Sequence, residues 1–333
     1  MYRRIILAFL ILLSTTAFPH EPLIRLPDSE SPPVFSPTIL FPGRMIVDQQ
    51  GTILSVIIPL KQAGRLLLLE AIIDGRIGIF ILDTGSTGLV LNQTYFRDYM
   101  PMDEVDAGGI TGSAAPTHRV RVKRLQLAGI EYSNLYADVT SLAHIENRRG
   151  IQVYGLFGLN LIKDMEMVID VRHHELQLHR LDKAGNRLTV PAEKIIFDIT
   201  GKVDEHQNMA YVEVEIGEKK LEFCLDTGAE SNVLDMGLPK NVLSTVAILR
   251  RSTLQGAGSG SKDVLYGNMN DFNIGGKKIG NMQVLITNLS GLSQRYGYTI
   301  NGMLGYDFFE KGKIYINLVK HELGIVLNKE GNL

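Results

Sequence analysis

The sequence predicts an all-β protein made of two copies of one strand-rich half, with few short helices and a cleft where the halves meet. Three observations predict it. Blocks of sequence recur in order: Phe80-Ile81-Leu82-Asp83-Thr84-Gly85 returns 143 residues later as Phe223-Cys224-Leu225-Asp226-Thr227-Gly228. Gly155-Leu156-Phe157-Gly158-Leu159-Asn160 returns 147 residues later as Gly302-Met303-Leu304-Gly305-Tyr306-Asp307. At that second offset Ile169-Asp170-Val171 matches Ile316-Asn317-Leu318, and His174-Glu175-Leu176 matches His321-Glu322-Leu323. The second observation is alternation. Tyr211-Val212-Glu213-Val214-Glu215-Ile216 has the two-residue period of a half-buried strand. The third is that glycine and β-branched residues are spread along the chain while helical periodicity is sparse.

At 333 residues the chain is too long for one typical core and suits two halves sharing a cleft. Its apolar fraction of 45% and charged fraction of 21% are ordinary for a soluble globular protein. A net charge of -2 argues against a nucleic-acid partner. One stretch, Arg119-Val120-Arg121-Val122-Lys123-Arg124, is basic. Its alternation reads as a solvated strand face, the alternative being a rim that attracts acidic substrate.

Arg3 and Arg4 precede an apolar run, Ile5 to Leu13, and small residues follow at Ser14-Thr15-Thr16-Ala17. This is the layout of a secretory signal peptide over residues 1–17, cleaved after Ala17. The run is shorter than the ~20 apolar residues of a spanning helix, and an uncleaved membrane anchor is the alternative reading. No Cys lies near the cleavage site, which excludes a lipid-modified Cys there. No later segment is long and apolar enough to span a bilayer. The expected product has no stable membrane span after cleavage and is exported, to the bacterial periplasm. Cys224 is the only cysteine, so no internal disulfide can form, and its apolar setting reads it as a buried small hydrophobe.

Pro22, Pro27, Pro32, Pro33, Pro37 and Pro42 mark residues 18–50 as an extended leader or a pro-segment. The first half is expected over 51–182, a linker with Gly185, Asn186 and Pro191 over 183–193, and the second half over 194–333. Each half opens on a hairpin. In the first, Val56 to Leu60 turns at Gln62-Ala63-Gly64 into Leu66 to Ile73. In the second, Ile195 to Ile199 turns around Gly201 into Ala210 to Ile216. Short helical pieces are expected after Gly158 and Gly305. Val171-Arg172-His173-His174-Glu175 has the look of a metal-ligand cluster. Both it and its counterpart Leu318-Val319-Lys320-His321-Glu322 fall between apolar strand runs, where a hairpin turn belongs, so neither a metal site nor a cofactor is predicted.

The chemistry lies in the two Asp-Thr-Gly triplets. Each follows an apolar strand and precedes another apolar run, so each Asp sits where a buried strand breaks into a tight turn. Glycine permits close approach of another chain there, and the Thr hydroxyl can fix the turn. A lone triplet reads as an ordinary turn. Two copies at matched points can bring two carboxylates together across a pseudo-two-fold axis. Such a pair shares one proton. The ionised member can take a proton from water while the protonated member polarises a peptide carbonyl, which is hydrolysis without a covalent intermediate.

These residues resemble the aspartic peptidases of the pepsin and retroviral-protease clan, over residues from about 51 to 333. Leu156-Phe157-Gly158 and Met303-Leu304-Gly305 fit the clan's second motif, two hydrophobic residues and a Gly on a strand that passes through the Asp loop. Asp83-Thr84-Gly85-Ser86-Thr87 is similar to the pepsin style, and Asp226-Thr227-Gly228-Ala229-Glu230 to the retroviral style. The resemblance implies two retropepsin-like β-barrel halves in tandem with the active site at their interface. It implies a catalytic dyad of Asp83 and Asp226. Thr84 and Thr227 would hold the loops together, with Gly85 and Gly228 allowing close approach to the dyad. A monomer would suffice for activity, and the partner would be a protein or peptide substrate. Each half would also supply a flap, a hairpin that closes over substrate. The candidates are Gly108 to Ser113, with Gly109, Ile110 and Thr111, and Gly256 to Ser261, with Gly258 and Ser259. Neither carries the flap tyrosine of pepsin. The expected function is an aspartic endopeptidase acting on exported or envelope proteins. The alternatives are a peptide-binding protein that keeps the fold with little turnover, and a hydrolase of another envelope component.

Overall fold

The computed structural model describes residues 12–14, 44–105, 108–109, 112–113, 117–189, 194–255 and 261–329. The rest of the expected signal peptide and most of the leader lie outside these residues. Leu12–Ser14 pairs with Thr253 to Gln255, and Met45–Val47 pairs with Ile53 to Val56. Among the described residues no helix is long and apolar enough to cross a membrane.

The strand Leu66–Ile73 buries both faces and turns back through Asp74 (φ 45°) and Gly75 (φ 84°) into Arg76–Asp83. Left-handed backbone at both turn residues matches the twist of the flanking strands. The repeat makes the same hairpin, Met209–Ile216 into Lys219–Leu225, through Gly217 (φ 54°) and Glu218 (φ 62°).

In the first half, strand Arg76–Asp83 lies beside Gly155–Gly158, then come Leu89–Asn92, Ile130–Thr140 and Thr117–Leu127. Leu125 and Gln126 return to pair with Ile73 and Ile72, which closes a six-stranded barrel. The second half follows the same order through Gly302–Leu304, Asn232–Asp235, Met282–Thr287 and Ser261–Met269. There the return is made by the short strand Asn273–Ile274, at Asn273 opposite Glu215. Pairing is mostly antiparallel, as expected. Two ladders in each half are parallel, Arg76–Asp83 with Gly155–Gly158 and Leu89–Asn92 with Ile130–Thr140 in the first. Their connections are long enough to allow the crossover that parallel pairing requires.

A further antiparallel sheet joins the halves. It contains Ile53–Pro59, Glu175–Arg180 and Met165–Asp170, followed by Gly312–Asn317, Glu322–Leu327 and Ile199–His206. At its centre Val168 faces Tyr315, with Met167 opposite Ile316 and Ile169 opposite Ile314. Val168 and Tyr315 are repeat equivalents at offset 147, so this pair marks a pseudo-two-fold axis. Apolar side chains of both halves, among them Leu69, Phe157, Ile169, Phe223, Phe308 and Ile316, form one continuous core.

Helical turns follow Gly158 and Gly305 as expected, at Leu159–Leu161 and Tyr306–Phe309. Three helices were not anticipated: the single turn Lys240–Leu243, and Ala143–Arg149 and Ser290–Tyr296, the last two each ended by a left-handed glycine, Gly150 and Gly297, both at φ 63°. The expected turn at Gly201 is corrected. Gly201 lies inside the strand Ile199–His206, opposite Leu323, and the chain turns at Gln207 (φ 52°) and Asn208 (φ 62°). Glycine serves close packing at 201, because a β-carbon there would fall 2.4 Å from Ile274 Cγ2. The His173-His174 and Lys320-His321 segments are hairpin turns, with His174 and His321 left-handed at φ 54° and 57°. Val120 and Val122 are buried while Arg121, Lys123 and Arg124 are exposed, and Cys224 is buried.

Candidate active site

Each Asp-Thr-Gly turn is set by the parallel ladder beneath it. Gly158 lies opposite Asp83 in register, and Asp226 N donates to Leu304 O at 2.9 Å. The turns close on themselves through Ser86 N to Asp83 O (3.0 Å) and Ala229 N to Asp226 O (3.1 Å). The second-motif glycines pass through these turns at contact distance. A β-carbon at Gly158 would fall 2.2 Å from Gly88 O, and one at Gly305 would fall 2.5 Å from Ala229 O. The next residues fasten the crossing, with Leu159 N donating to Ser86 O (3.0 Å) and Tyr306 N to Ala229 O (2.8 Å).

The two turns meet. Thr84 Oγ1 donates to Leu225 O and Thr227 Oγ1 to Leu82 O, both at 2.8 Å. Each threonine amide donates to the other's hydroxyl oxygen at 3.0 Å. Gly85 and Gly228 carry the approach of the carboxylates. A β-carbon on Gly85 would lie 2.4 Å from Asp226 Cγ, and one on Gly228 would lie 2.6 Å from Asp83 Cγ. The structure therefore brings together Asp83, Thr84, Gly85, Asp226, Thr227 and Gly228, and each catalytic candidate rests on the glycine of the other half.

Both aspartates are fully buried. Burial pushes the Asp83 carboxyl well above its ordinary value, with the hydrogen bond to Asp226 and the amides of Gly85 and Ser86 opposing. Burial, then the Asp83 charge, pushes Asp226 up as well, against the amide of Gly228, which donates to Asp226 Oδ1 at 2.9 Å. Both carboxylates cannot easily be ionised in such a place. Asp83 Oδ1 and Oδ2 and Asp226 Oδ2 have no well-aligned hydrogen-bond partner among the described residues, so they retain capacity for a small polar molecule.

Of the flap candidates, Gly109 is described: Gly108–Gly109 pairs antiparallel with Gly112–Ser113. Ile110, Thr111, Gly258 and Ser259 lie outside the described residues. The strands Val246–Gln255 and Ser261–Met269 pair as a long hairpin on either side of the second candidate.

Sequence reasoning missed an ionic cluster beside the second turn. Arg149 pairs with the buried Glu230, four residues after Asp226. Arg65 Nη1 donates to Glu230 O at 3.0 Å and lies 2.9 Å from Asp307 Oδ1. Burial raises the Asp307 carboxyl, and the Arg65 charge opposes it. The available signal was a break in the repeat, since the first copy has Thr87 and Asn160 where the second has Glu230 and Asp307.

No curated protein sequence gives a significant match. The chain is similar in fold to the aspartic proteinase from Irpex lacteus, with a TM-score of 0.50 and 11% identity over 82% of this chain and 97% of that one. The family model described as aspartyl protease matches residues 69–161 and 212–308, each half supplying one match and the two together covering more than half of the chain. The chain belongs to the aspartyl protease family.

Proposed function

We propose that the chain is an aspartic endopeptidase in which Asp83 and Asp226 act as one acid–base pair on a water molecule and a peptide carbonyl. The observation that carries this reading is the reciprocal seating of the two buried aspartates on Gly228 and Gly85. One carboxylate, ionised, takes a proton from the water as its oxygen attacks the carbonyl carbon. The other, protonated, donates to the carbonyl oxygen. The tetrahedral species then collapses as the leaving nitrogen receives a proton, and the C–N bond breaks. The raised values of both carboxyls support a shared proton. Thr84 and Thr227 keep the turns in register, and the glycine-rich segments at 108–113 and 256–261 act as flaps over an extended peptide. The substrates are exported or envelope polypeptides met in the periplasm, a reading supported by Arg3-Arg4 and the apolar run after them.

The test uses protein lacking residues 1–17 and an unstructured protein substrate, from acidic to neutral pH. Cleavage by the wild type that disappears in both Asp83→Asn and Asp226→Asn supports the dyad. Retained cleavage in either folded variant refutes it. Fractionation of cells that express the full chain checks the compartment.

A further inference from the structure

Some contacts between the halves come in repeat-related pairs whose two members carry different charges. The turn ending at Arg65 docks on the second half, where Arg65 Nη1 lies 2.9 Å from Asp307 Oδ1 and Gln62 Nε2 donates to Tyr306 Oη at 2.9 Å. The matching turn of the second half docks on the first. There Lys163 Nζ donates to Asn208 Oδ1 at 2.8 Å and lies 3.4 Å from Glu205 Oε2. In the first contact the turn brings the cation, and in the second it brings the acid. By the repeat, Glu205 stands where the first copy has Gln62, Asn208 where it has Arg65, and Glu310 where it has Lys163. The central sheet follows the same rule. Lys313 Nζ lies 2.9 Å from Asp170 Oδ2, and Asn317 Nδ2 donates to Glu166 Oε2 at 3.1 Å. Lys313 is the repeat equivalent of Glu166, and Asn317 of Asp170.

We propose that these two pairs of contacts form a pairing code, by which a first half accepts a second half and rejects another first half. The backbone alone makes no such distinction. The register about Val168 and Tyr315 maps onto itself under the repeat, so two like halves could form the same ladder. The side chains decide. Two first halves would set Arg65 against Lys163 and Glu166 against Asp170. Two second halves would set Glu205 against Glu310, would leave Asp307 facing Asn208 without its cation, and would leave Lys313 facing Asn317. Either like pair loses the cross-half ion pairs and gains like-charge contacts, which act as repulsive elements against the wrong partner. Burial sharpens the penalty, since the side chains of Asp170 and Asp307 are only 3% and 8% exposed.

The test starts from the whole folded chain with a specific cleavage site inserted beside Lys183, nicked after folding. Two such preparations, one with a mass tag on the first half, are mixed, unfolded, refolded by dilution and read by native mass spectrometry. Mixed pairs are expected to outnumber like pairs by about a hundred-fold or more. Like pairs at comparable abundance, or no pairs at all, would overturn the code. A rewritten first half, Lys163→Glu with Glu166→Lys, is expected to raise first-with-first pairs at least about ten-fold, and an unchanged ratio would also overturn it. In the uncut chain, Lys163→Glu and Glu205→Lys should each lower Tm and their combination should recover most of the loss. A combination worse than either single variant contradicts the assignment.

Discussion

Thr84 and Thr227 hold each other's strands: each hydroxyl donates to a carbonyl of the opposite half and accepts the amide of the other threonine, at 2.8 and 3.0 Å. All four bonds are buried. Thr84→Ala would remove one donor and one acceptor, taking from Thr227 N its acceptor and leaving Leu225 O with the weak thiol donor of Cys224. The expected loss is about 2–4 kcal/mol in denaturant unfolding, with Thr84→Ser retaining most of the stability. Equal losses in the two variants would show that the hydroxyl is not what matters.

Gly85→Ala and Gly228→Ala test the approach of the carboxylates. The new methyl would meet the opposite Asp Cγ at 2.4 or 2.6 Å, and the turns have no exposed side to yield toward. Hydrolysis is expected to fall at least about a hundred-fold in kcat, because a shift near 1 Å at reacting groups has that effect. A steady-state comparison with the wild type at the optimum pH checks this.

Stability should depend on pH through the same pair. Burial raises both carboxyls, so above the ordinary value of about 4 the folded protein retains protons that the unfolded chain has released. Stability contributed by the neutral forms is then lost as pH rises through the raised values. Asp226→Asn removes that loss. It is expected to be about 1–3 kcal/mol more stable than the wild type at neutral pH, with no gain near pH ~3, while inactive. Urea titrations at the two pH values decide the sign.

His179 should give the opposite slope. It is buried in the sheet between the halves, with Nδ1 2.8 Å from Ser55 Oγ and with no hydrogen-bond partner for Nε2 among the described residues. Burial, then the nearby Arg187, lowers it to about 4. The unfolded chain therefore binds a proton first, and stability present at neutral pH is lost as pH falls through the window between about 6.5 and about 4. The wild type is expected to lose roughly 2–3 kcal/mol across that window, and His179→Gln much less. Parallel slopes in the two proteins would contradict the assignment.

What was legible in the sequence was what is local and written twice. Asp83 and Asp226 stand in triplets whose neighbours dictate a strand, a turn and a second strand, so both loops could be placed and their meeting inferred. The helices Ala143–Arg149 and Ser290–Tyr296 were missed, although Leu142 and Ile145 repeat as Leu289 and Leu292 before the glycines that end them. Seven residues are too few for helical periodicity to stand out. Gly201 misled because glycine marks both turns and close packing, and only the approach of Ile274 separates the two. The partners of Arg65, Arg149 and Lys163 lie in the opposite half, and no local pattern points across that distance.

The Val168–Tyr315 pair also fixes what relative motion of the halves can do. Residues that meet their own repeat equivalents lie close to the axis, and the dyad is among them. Twisting one half against the other about that axis would displace atoms in proportion to their distance from it. The carboxylates sit near the pivot, where displacement is least, and the outlying hairpins travel farthest. The edges of the molecule can thus shift while the two aspartates at its centre stay in register.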